Sequence, residues 1–284
     1  MKTLGVIGGS GLYDIAGLEN VREVALDTPF GKPSDSFIVG EMEGARMVFL
    51  PRHGKGHRVL PSELNFRANI YGMKKLGVER ILSVSAVGSM REEIKPGDIV
   101  VPDQFIDRTK GRVSTFFGNG IVGHITFADP VCAELSRVLY ESGQAVNAGI
   151  HMGGTYVCIE GPQFSTRAES KMYRSWGADI IGMTNVPESK LAREAEICYA
   201  TIALSTDYDC WHEEEDDVTV EAILEIIKSN VETAKAIIKT AAKRVTEERT
   251  CSCAKALENG IMTESSMIPD KTKRNLDIII GKYI

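Results

Sequence analysis

The sequence predicts an α/β fold in one domain, with a largely buried, partly parallel β-sheet flanked by helices. Three observations predict it. Short apolar runs alternate with amphipathic ones along the chain, the pattern of strand–helix units. Several short runs, such as Leu4 to Ile7 and Ile197 to Ser205, read as buried strands. The apolar fraction of 43% and charged fraction of 25% over 284 residues suit a globular core, and no shift in composition marks a boundary within residues 1–284. The segment 246–284 is the least diagnostic part.

The elements follow in order. Leu4 to Ile7 is a strand closed by Gly8-Gly9. Val21 to Leu26, Ser36 to Glu41 and Arg46 to Leu50 are further strands, with Glu43-Gly44 as a hairpin turn between the last two. Leu64, Ala68, Tyr71 and Leu76 share one face of a helix over Ser62 to Leu76, which Gly77 stops. Arg80 to Val87 is a strand ending at Gly88, and Ile99 to Val101 and Gln104 to Asp107 continue the sheet. Pro130 to Ser142 is a helix ended by Gly143, and Thr155 to Ile159 is a strand. Thr166 and Glu169 form a capping box that starts a helix. Asp179 to Ile181 is a strand, Pro187 opens a helix from its first turn, and Ile197 to Ser205 is a strand. Residues 219–245 carry the clearest helix, with Ile223, Ile227, Val231, Ala234 and Ile238 at spacings of three and four. The polar stretch Thr246 to Lys273 reads as a surface connection with a short helix near Ala254 to Ile261, before a last apolar run, Leu276 to Ile280.

Composition excludes several classes. The formal charge is −6, from 33 basic and 39 acidic residues, and no basic stripe marks a nucleic-acid partner. No apolar run is long enough to span a membrane. The opening MKTLGVIGGSG has no apolar signal-peptide region, so the chain reads as cytoplasmic. The six cysteines then read as free, mostly buried thiols, among which only Cys251-Ser252-Cys253 stands out.

Five segments sit where strands end, the usual ligand side of an α/β sheet. Gly8-Gly9-Ser10-Gly11 suits an oxyanion or simply a tight turn; neither a dinucleotide fingerprint nor a Walker pattern is present. Pro51-Arg52-His53-Gly54 offers a guanidinium fork for phosphate, or a solvated basic turn. His53 and His57 are four apart, but the glycines between them disfavour a helical metal site, and no metal is expected. Ser85-Ala86-Val87-Gly88 and Met183-Thr184-Asn185 place small hydroxyl residues at strand ends, each commonplace alone. Asp207-Tyr208-Asp209 puts two carboxylates two apart, able to hydrogen-bond a polar heterocycle or share a proton. The acidic run Glu213 to Asp217 reads as a solvated face. No G-x-S-x-G elbow supplies a hydrolase nucleophile.

Together these segments resemble the purine nucleoside phosphorylase family, most closely its branch acting on 5′-methylthioadenosine. GVIGGSGLYD, LPRHGKGHRVLPSELNFRANI, SVSAVGSMREEIKPGDIVVPDQFIDRT, IEGPQFSTRAES, WGADIIGMTNVPE and STDYDCW carry the resemblance, from residue 4 to about residue 230. It implies a mixed, curved sheet surrounded by helices, in a chain that assembles into trimers or hexamers. It implies phosphorolysis of a nucleoside to adenine and 5-methylthioribose 1-phosphate, with phosphate as co-substrate and no cofactor.

By that resemblance Ser10, Arg52, His53, Ser85, Ala86 and Thr184 hold phosphate. Met183 lies against the ribose and Phe164 covers the purine. Asp207 and Asp209 meet the purine N7 and 6-amino edge, with Asp207 as the catalytic acid. His57, Val220, Ile223 and Leu224 line the 5′-methylthio pocket, and His124 is lent across a subunit interface. Resemblance to thermophilic archaeal members also implies that Cys251 pairs with Cys253 and Cys132 with Cys198. The rival functions are a phosphorylase for 6-oxopurine nucleosides, a nucleosidase using water and a nonenzymatic nucleotide-binding module. Asp207, where a 6-oxo group would prefer an Asn, speaks against the first, and Arg52 with His53 against the second.

Overall fold

The computed structural model describes residues 1–9, 11–212 and 220–284, with side chains from 225 onward in the last stretch. Its centre is β5 (Arg80–Ser89), a ten-residue strand buried along almost its whole length. One edge of β5 pairs in parallel with β11 (Cys198–Asp207), from Cys198↔Arg80 to Asp207↔Gly88. The other edge is shared by two strands in succession. β1 (Thr3–Gly8) pairs in parallel with Arg80 to Ser83, and β10 (Ile180–Gly182) pairs antiparallel with Gly88 and Ser89. Between them, Val84 to Val87 have no strand partner on that edge among the described residues. A gap in the sheet therefore opens where β1 has ended.

The rest of the eleven-stranded mixed sheet extends from these strands. β4 (Ala45–Pro51) runs parallel to β1, and β3 (Phe37–Met42) and β2 (Glu19–Val24) follow antiparallel. The β3–β4 turn is Glu43-Gly44, with φ of 50° and 71°, the left-handed pair that fits a two-residue hairpin. On the other side, β9 (Thr155–Ile159) pairs with β10 and with β7 (Gln104–Arg108), while β6 (Ile99–Val101) joins β11 to β8 (Ile150–Met152).

Helices cover both faces. Leu135 and Leu139 of α2 (Ala133–Ala145) and Ala234, Ile237 and Ile238 of α5 (Val220–Arg244) pack with Leu4, Val6, Leu82 and Val84. On the opposite face α1 (Phe66–Lys75), α4 (Asn185–Glu194) and α6 (Asp270–Ile280) pack with Ile7, Val48 and Ile81. Alternate residues of β1 and β5 thus point into different cores, as a doubly covered sheet requires. α3 (Arg167–Ser175) begins at the expected capping box: Thr166 accepts from the Glu169 N–H at 3.2 Å, and Glu169 accepts from the Thr166 N–H at 2.8 Å.

Several expectations are corrected. The helix foreseen over Ser62 to Leu76 is a 3₁₀ turn, Pro61–Glu63, followed by α1, whose cap is the Asn65 side chain. α2 starts at Ala133, not Pro130, and runs through Gly143 to Ala145. Gly143 fits there because a Cβ would lie 2.3 Å from Ile150, so the helix rests on β8, a strand too short to show a pattern. One expectation here holds: Pro187 opens the regular turns of α4, since Val186 before it leaves helical dihedrals (φ −119°, ψ 126°). No helix forms over Ala254 to Ile261; the chain makes a 3₁₀ turn at Ser252–Lys255, and the last apolar run belongs to α6. The stretch Thr246 to Lys273 is not only a surface connection, because Leu257 and Ile268 join the core. Ser10 and Glu213 to Asp217 lie outside the described residues.

Gly72 sets the distance between α1 and β3, since a Cβ there would come within 2.3 Å of Phe37. Gly72→Ala is expected to destabilise the fold by about 1–3 kcal/mol through overpacking. Urea unfolding measures the loss.

Candidate active site

The gap beside Val84 to Val87 is the floor of a cleft of about 410 Å³. It collects the carboxyl ends of β1, β4, β5 and β11 and one flank of α5, through Gly9, His53, Ser85, Thr206 and Val231. Of the expected phosphate ligands described here, Arg52, His53, Ser85, Ala86 and Thr184 all line it, and Met183 and His57 do so as well.

Arg52 is 2% exposed and does more than line the cleft. Its Nε and Nη2 donate to the two carboxylate oxygens of Glu188 at 2.8 and 2.9 Å. Nη1 donates to the Val84 carbonyl at 2.8 Å, and Nη2 also reaches the Ile7 carbonyl and Ser83 Oγ. Glu188 is fully buried on α4 and also accepts from Ser83 Oγ and the Tyr199 hydroxyl, both at 2.9 Å. Burial and the Glu188 charge keep Tyr199 protonated, so it remains a donor. The simple reading of Arg52 as a phosphate clamp is therefore incomplete. One Nη1 hydrogen remains beyond these partners.

His53 Nδ1 lies 2.8 Å from the Val59 carbonyl. A carbonyl only accepts, so Nδ1 carries the proton and Nε2 is the free nitrogen. Burial, helped by the Arg52 charge, holds His53 down at about 4. The imidazole is thus neutral near pH 7. His57, in the left-handed region at φ 54°, stacks on it with ring centroids 4.4 Å apart.

Ser85 Oγ and Thr184 Oγ1 hydrogen-bond each other at 2.7 Å, and the Tyr156 hydroxyl lies 3.3 Å from Ser85 Oγ and 3.5 Å from the Thr184 amide. This couples the end of β5 to the turn before α4. The same turn is held from below by Arg112, whose side chain is 1% exposed and whose Nη1 donates to the Met183 and Val186 carbonyls at 2.6 and 2.7 Å. Met183 lies against Gly161, where a Cβ would sit 2.5 Å from its sulfur. Glu160 anchors Arg112 and accepts from Ser62 and from the Lys110 and Gly111 amides. These contacts outweigh the cost of burial and hold Glu160 at about 2.

Asp207 and Asp209 stand at the end of β11, beside the cleft-lining Thr206 and Gly88. Asp207 Oδ2 accepts from Thr206 at 2.6 Å and Oδ1 accepts the Asp209 amide at 2.8 Å. Burial pushes the Asp209 carboxyl above the usual carboxylate range, and the charge of Asp207 adds to it. Phe164 is not brought to the cleft. It stands 85% exposed in the turn before α3. His124 also lies elsewhere, beside Arg193 and Lys255 in a separate recess. Val220, Ile223 and Leu224 fall on the first turns of α5, with side chains outside the described set; the neighbouring wall of α5 is Ile227 and Val231.

Glu188, Tyr199, Tyr156 and Arg112 escaped the sequence reading. Each is a single polar residue among ordinary neighbours, and only the fold shows that it is buried and paired.

Two outcomes follow from this geometry. Glu188→Ala leaves Arg52 buried without its counter-charge and is expected to cost about 3–5 kcal/mol, read by denaturant unfolding. His53 titrates near 6.5 when unfolded and at about 4 when folded. The stability it contributes is therefore full above about 6.5 and lost as the pH falls toward about 4. His53→Gln should flatten the drop in melting temperature between pH 7.5 and 5 in phosphate-free buffer; an unaltered drop would show that His53 is not the group responsible.

A profile of the phosphorylase superfamily matches residues 3–243. An S-methyl-5′-thioadenosine phosphorylase of Geobacter sulfurreducens is 65% identical over 284 residues, covering 100% of this chain and 99% of that protein. One from Hyperthermus butylicus is 53% identical over 263 residues, 91% of this chain and 95% of its own. The crystal structure of a methylthioadenosine phosphorylase from an antarctic soil metagenomic library superposes with a TM-score of 0.95 at 48% identity, over 98% of both chains. A mutant adenosine/methylthioadenosine phosphorylase of Schistosoma mansoni, solved with methylthioadenosine, gives 0.81 at 37% identity, over 91% of this chain and 96% of that one. The chain belongs to the phosphorylase superfamily and, within it, to the S-methyl-5′-thioadenosine phosphorylases.

Proposed function

We propose that the chain cleaves 5′-methylthioadenosine with phosphate, giving adenine and 5-methylthioribose 1-phosphate, as a pentosyltransferase. The observation that carries this reading is the mixed lining of the cleft. Arg52, His53, Ser85 and Thr184 supply polar groups, and Leu12, Ile181, Ile227 and Val231 supply apolar surface. A phosphate dianion suits the first and a methylthio group the second. The names and close similarity of the relatives support the same substrate.

The free Nη1 hydrogen of Arg52, the Ser85 and Thr184 hydroxyls and the Ala86 amide hold phosphate, with Ser10 completing the set. His53 Nε2 accepts a hydrogen bond from the P–OH of hydrogen phosphate, which fixes the dianion's orientation and leaves its charged oxygens free to attack. As the glycosidic bond breaks, positive charge grows at the anomeric carbon, and the adjacent phosphate stabilises it. The purine leaves with electrons and needs a proton or a strong hydrogen bond at N7. Asp207 supplies it, and Asp209 meets the 6-amino group. Met183 orients the ribose. Phe164 covers the purine by swinging in from its exposed turn, and His124 reaches a neighbouring subunit's site in a trimer or hexamer. Val220, Ile223, Leu224 and His57 close the 5′ pocket. The reaction needs no metal or organic cofactor and takes place in the cytoplasm.

Adenine release in phosphate-free buffer should fall to background and return on adding phosphate; equal release without phosphate would mean a nucleosidase. Asp207→Asn removes the acid but keeps the size, and its amide can donate to a 6-oxo group. Activity on methylthioadenosine should drop by about 10²–10⁴-fold while methylthioinosine gains relative to it. Comparing kcat/KM for both nucleosides with the melting temperature decides the matter: an unchanged substrate ratio with a lowered melting point would make Asp207 a loop brace.

A further inference from the structure

Four of the six cysteines meet at one point far from the cleft. The sulfurs of Cys132, Cys198, Cys251 and Cys253 all lie within 4.8 Å of one another, and three of these residues are buried. They come from three parts of the fold: Cys132 caps the start of α2, Cys198 begins β11, and Cys251 and Cys253 flank Ser252 after α5. Along β11 the cluster and Asp207 stand at opposite ends, about 30 Å apart at the usual strand rise.

We propose that these four thiolates form a tetrahedral site for a thiophilic divalent cation, Zn²⁺ by its chemistry, which ties the chain after α5 to the sheet. Zinc–sulfur bonds of about 2.3 Å place tetrahedral sulfurs about 3.8 Å apart, and the spacings here, 3.3 Å between Cys198 and Cys251 and none above 4.8 Å, reach that value by small shifts in either direction. Four clustered thiols, three of them buried, offer one another only weak hydrogen bonds. The cation instead gives each a bond, and the displaced thiol protons leave to solvent.

The charge around the cluster agrees. Arg80 is the ladder partner of Cys198 and shares its face of the sheet with Leu82 and Val84. It is 2% exposed, and its Nη1 donates no hydrogen bond, with the Glu79 carboxylate 3.8 Å away. A cation with four thiolates carries a net charge of −2, which a buried, under-partnered guanidinium one strand away offsets.

The test is metal content and thiol count on the whole chain, purified without chelator or reductant and then dialysed against Zn²⁺ or Co²⁺. One equivalent of metal per chain is expected, with the strong visible bands of tetrahedral thiolate-bound Co²⁺. Six thiols should titrate once the protein is unfolded with chelator. Cys251→Ser, a half-buried position that should still fold, is expected to lower metal content at least tenfold and to remove the rise in melting temperature that Zn²⁺ gives the parent. No bound metal with six free thiols would overturn the proposal. So would fewer than six thiols, which would mean that the cluster is closed by disulfides.

Discussion

The buried ion pair between Arg52 and Glu188 is the constraint on which the active end of this molecule depends. A guanidinium that is 2% exposed is tolerable only when nearly every N–H is matched. Here the matching groups come from β1, β5, α4 and, through Tyr199, β11, while Arg52 itself follows directly on β4. Satisfying one charge therefore fixes the relative positions of five elements. His53 follows Arg52 directly, and Met183 to Asn185 lie just ahead of Glu188 in the chain. The cradle is rigid because its residues are neighbours of an ion pair that cannot relax without exposing a charge to an apolar interior.

A second constraint is the way β5 divides one of its edges between β1 and β10. A continuous partner strand would have filled the space beside Val84 to Val87 with backbone hydrogen bonds. Ending β1 at Gly8 and starting β10 in the opposite direction leaves a recess of about 410 Å³ at the strand ends. Arg112 and Tyr156 then brace the turn that follows β10, each by hydrogen bonds to backbone groups that would otherwise be free to move. Preorganisation of this kind suits a reaction in which the protein forms no covalent bond and works by position and charge.

The neutral state of His53 ties the two together. Beside a permanently charged Arg52 and away from water, a second cation is disfavoured until an anion arrives. The site keeps one fixed positive charge, already balanced by Glu188, and a neutral imidazole nitrogen able to accept a hydrogen bond from an incoming oxyacid. At the far end of β11 the four clustered thiols and the buried Arg80 place close-packed polar groups in a second buried cluster, where Arg80 Nη1 has no hydrogen-bond partner among the described residues.

The sequence by itself determined most strands and helices from β1 to α5, β8 apart, with the hairpin at Glu43-Gly44, the capping box at Thr166 and the long α5. These depend on dihedral preferences and local periodicity, which neighbours in sequence carry. The strand-end motifs around Arg52, Ser85 and Thr184 were legible for the same reason, since an α/β sheet presents its ligands where strands stop. Only the tertiary structure decided that Arg52 is first of all a buried ion-pair partner, because Glu188 lies 136 positions away in the chain. The same holds for Arg112 under the Met183 turn, for β8 with its three residues and for the meeting of Cys132 and Cys198 with Cys251 and Cys253. Burial and long-range pairing are properties of the packed chain, and a polar residue's role changes with the dielectric around it, which no local pattern of residues encodes.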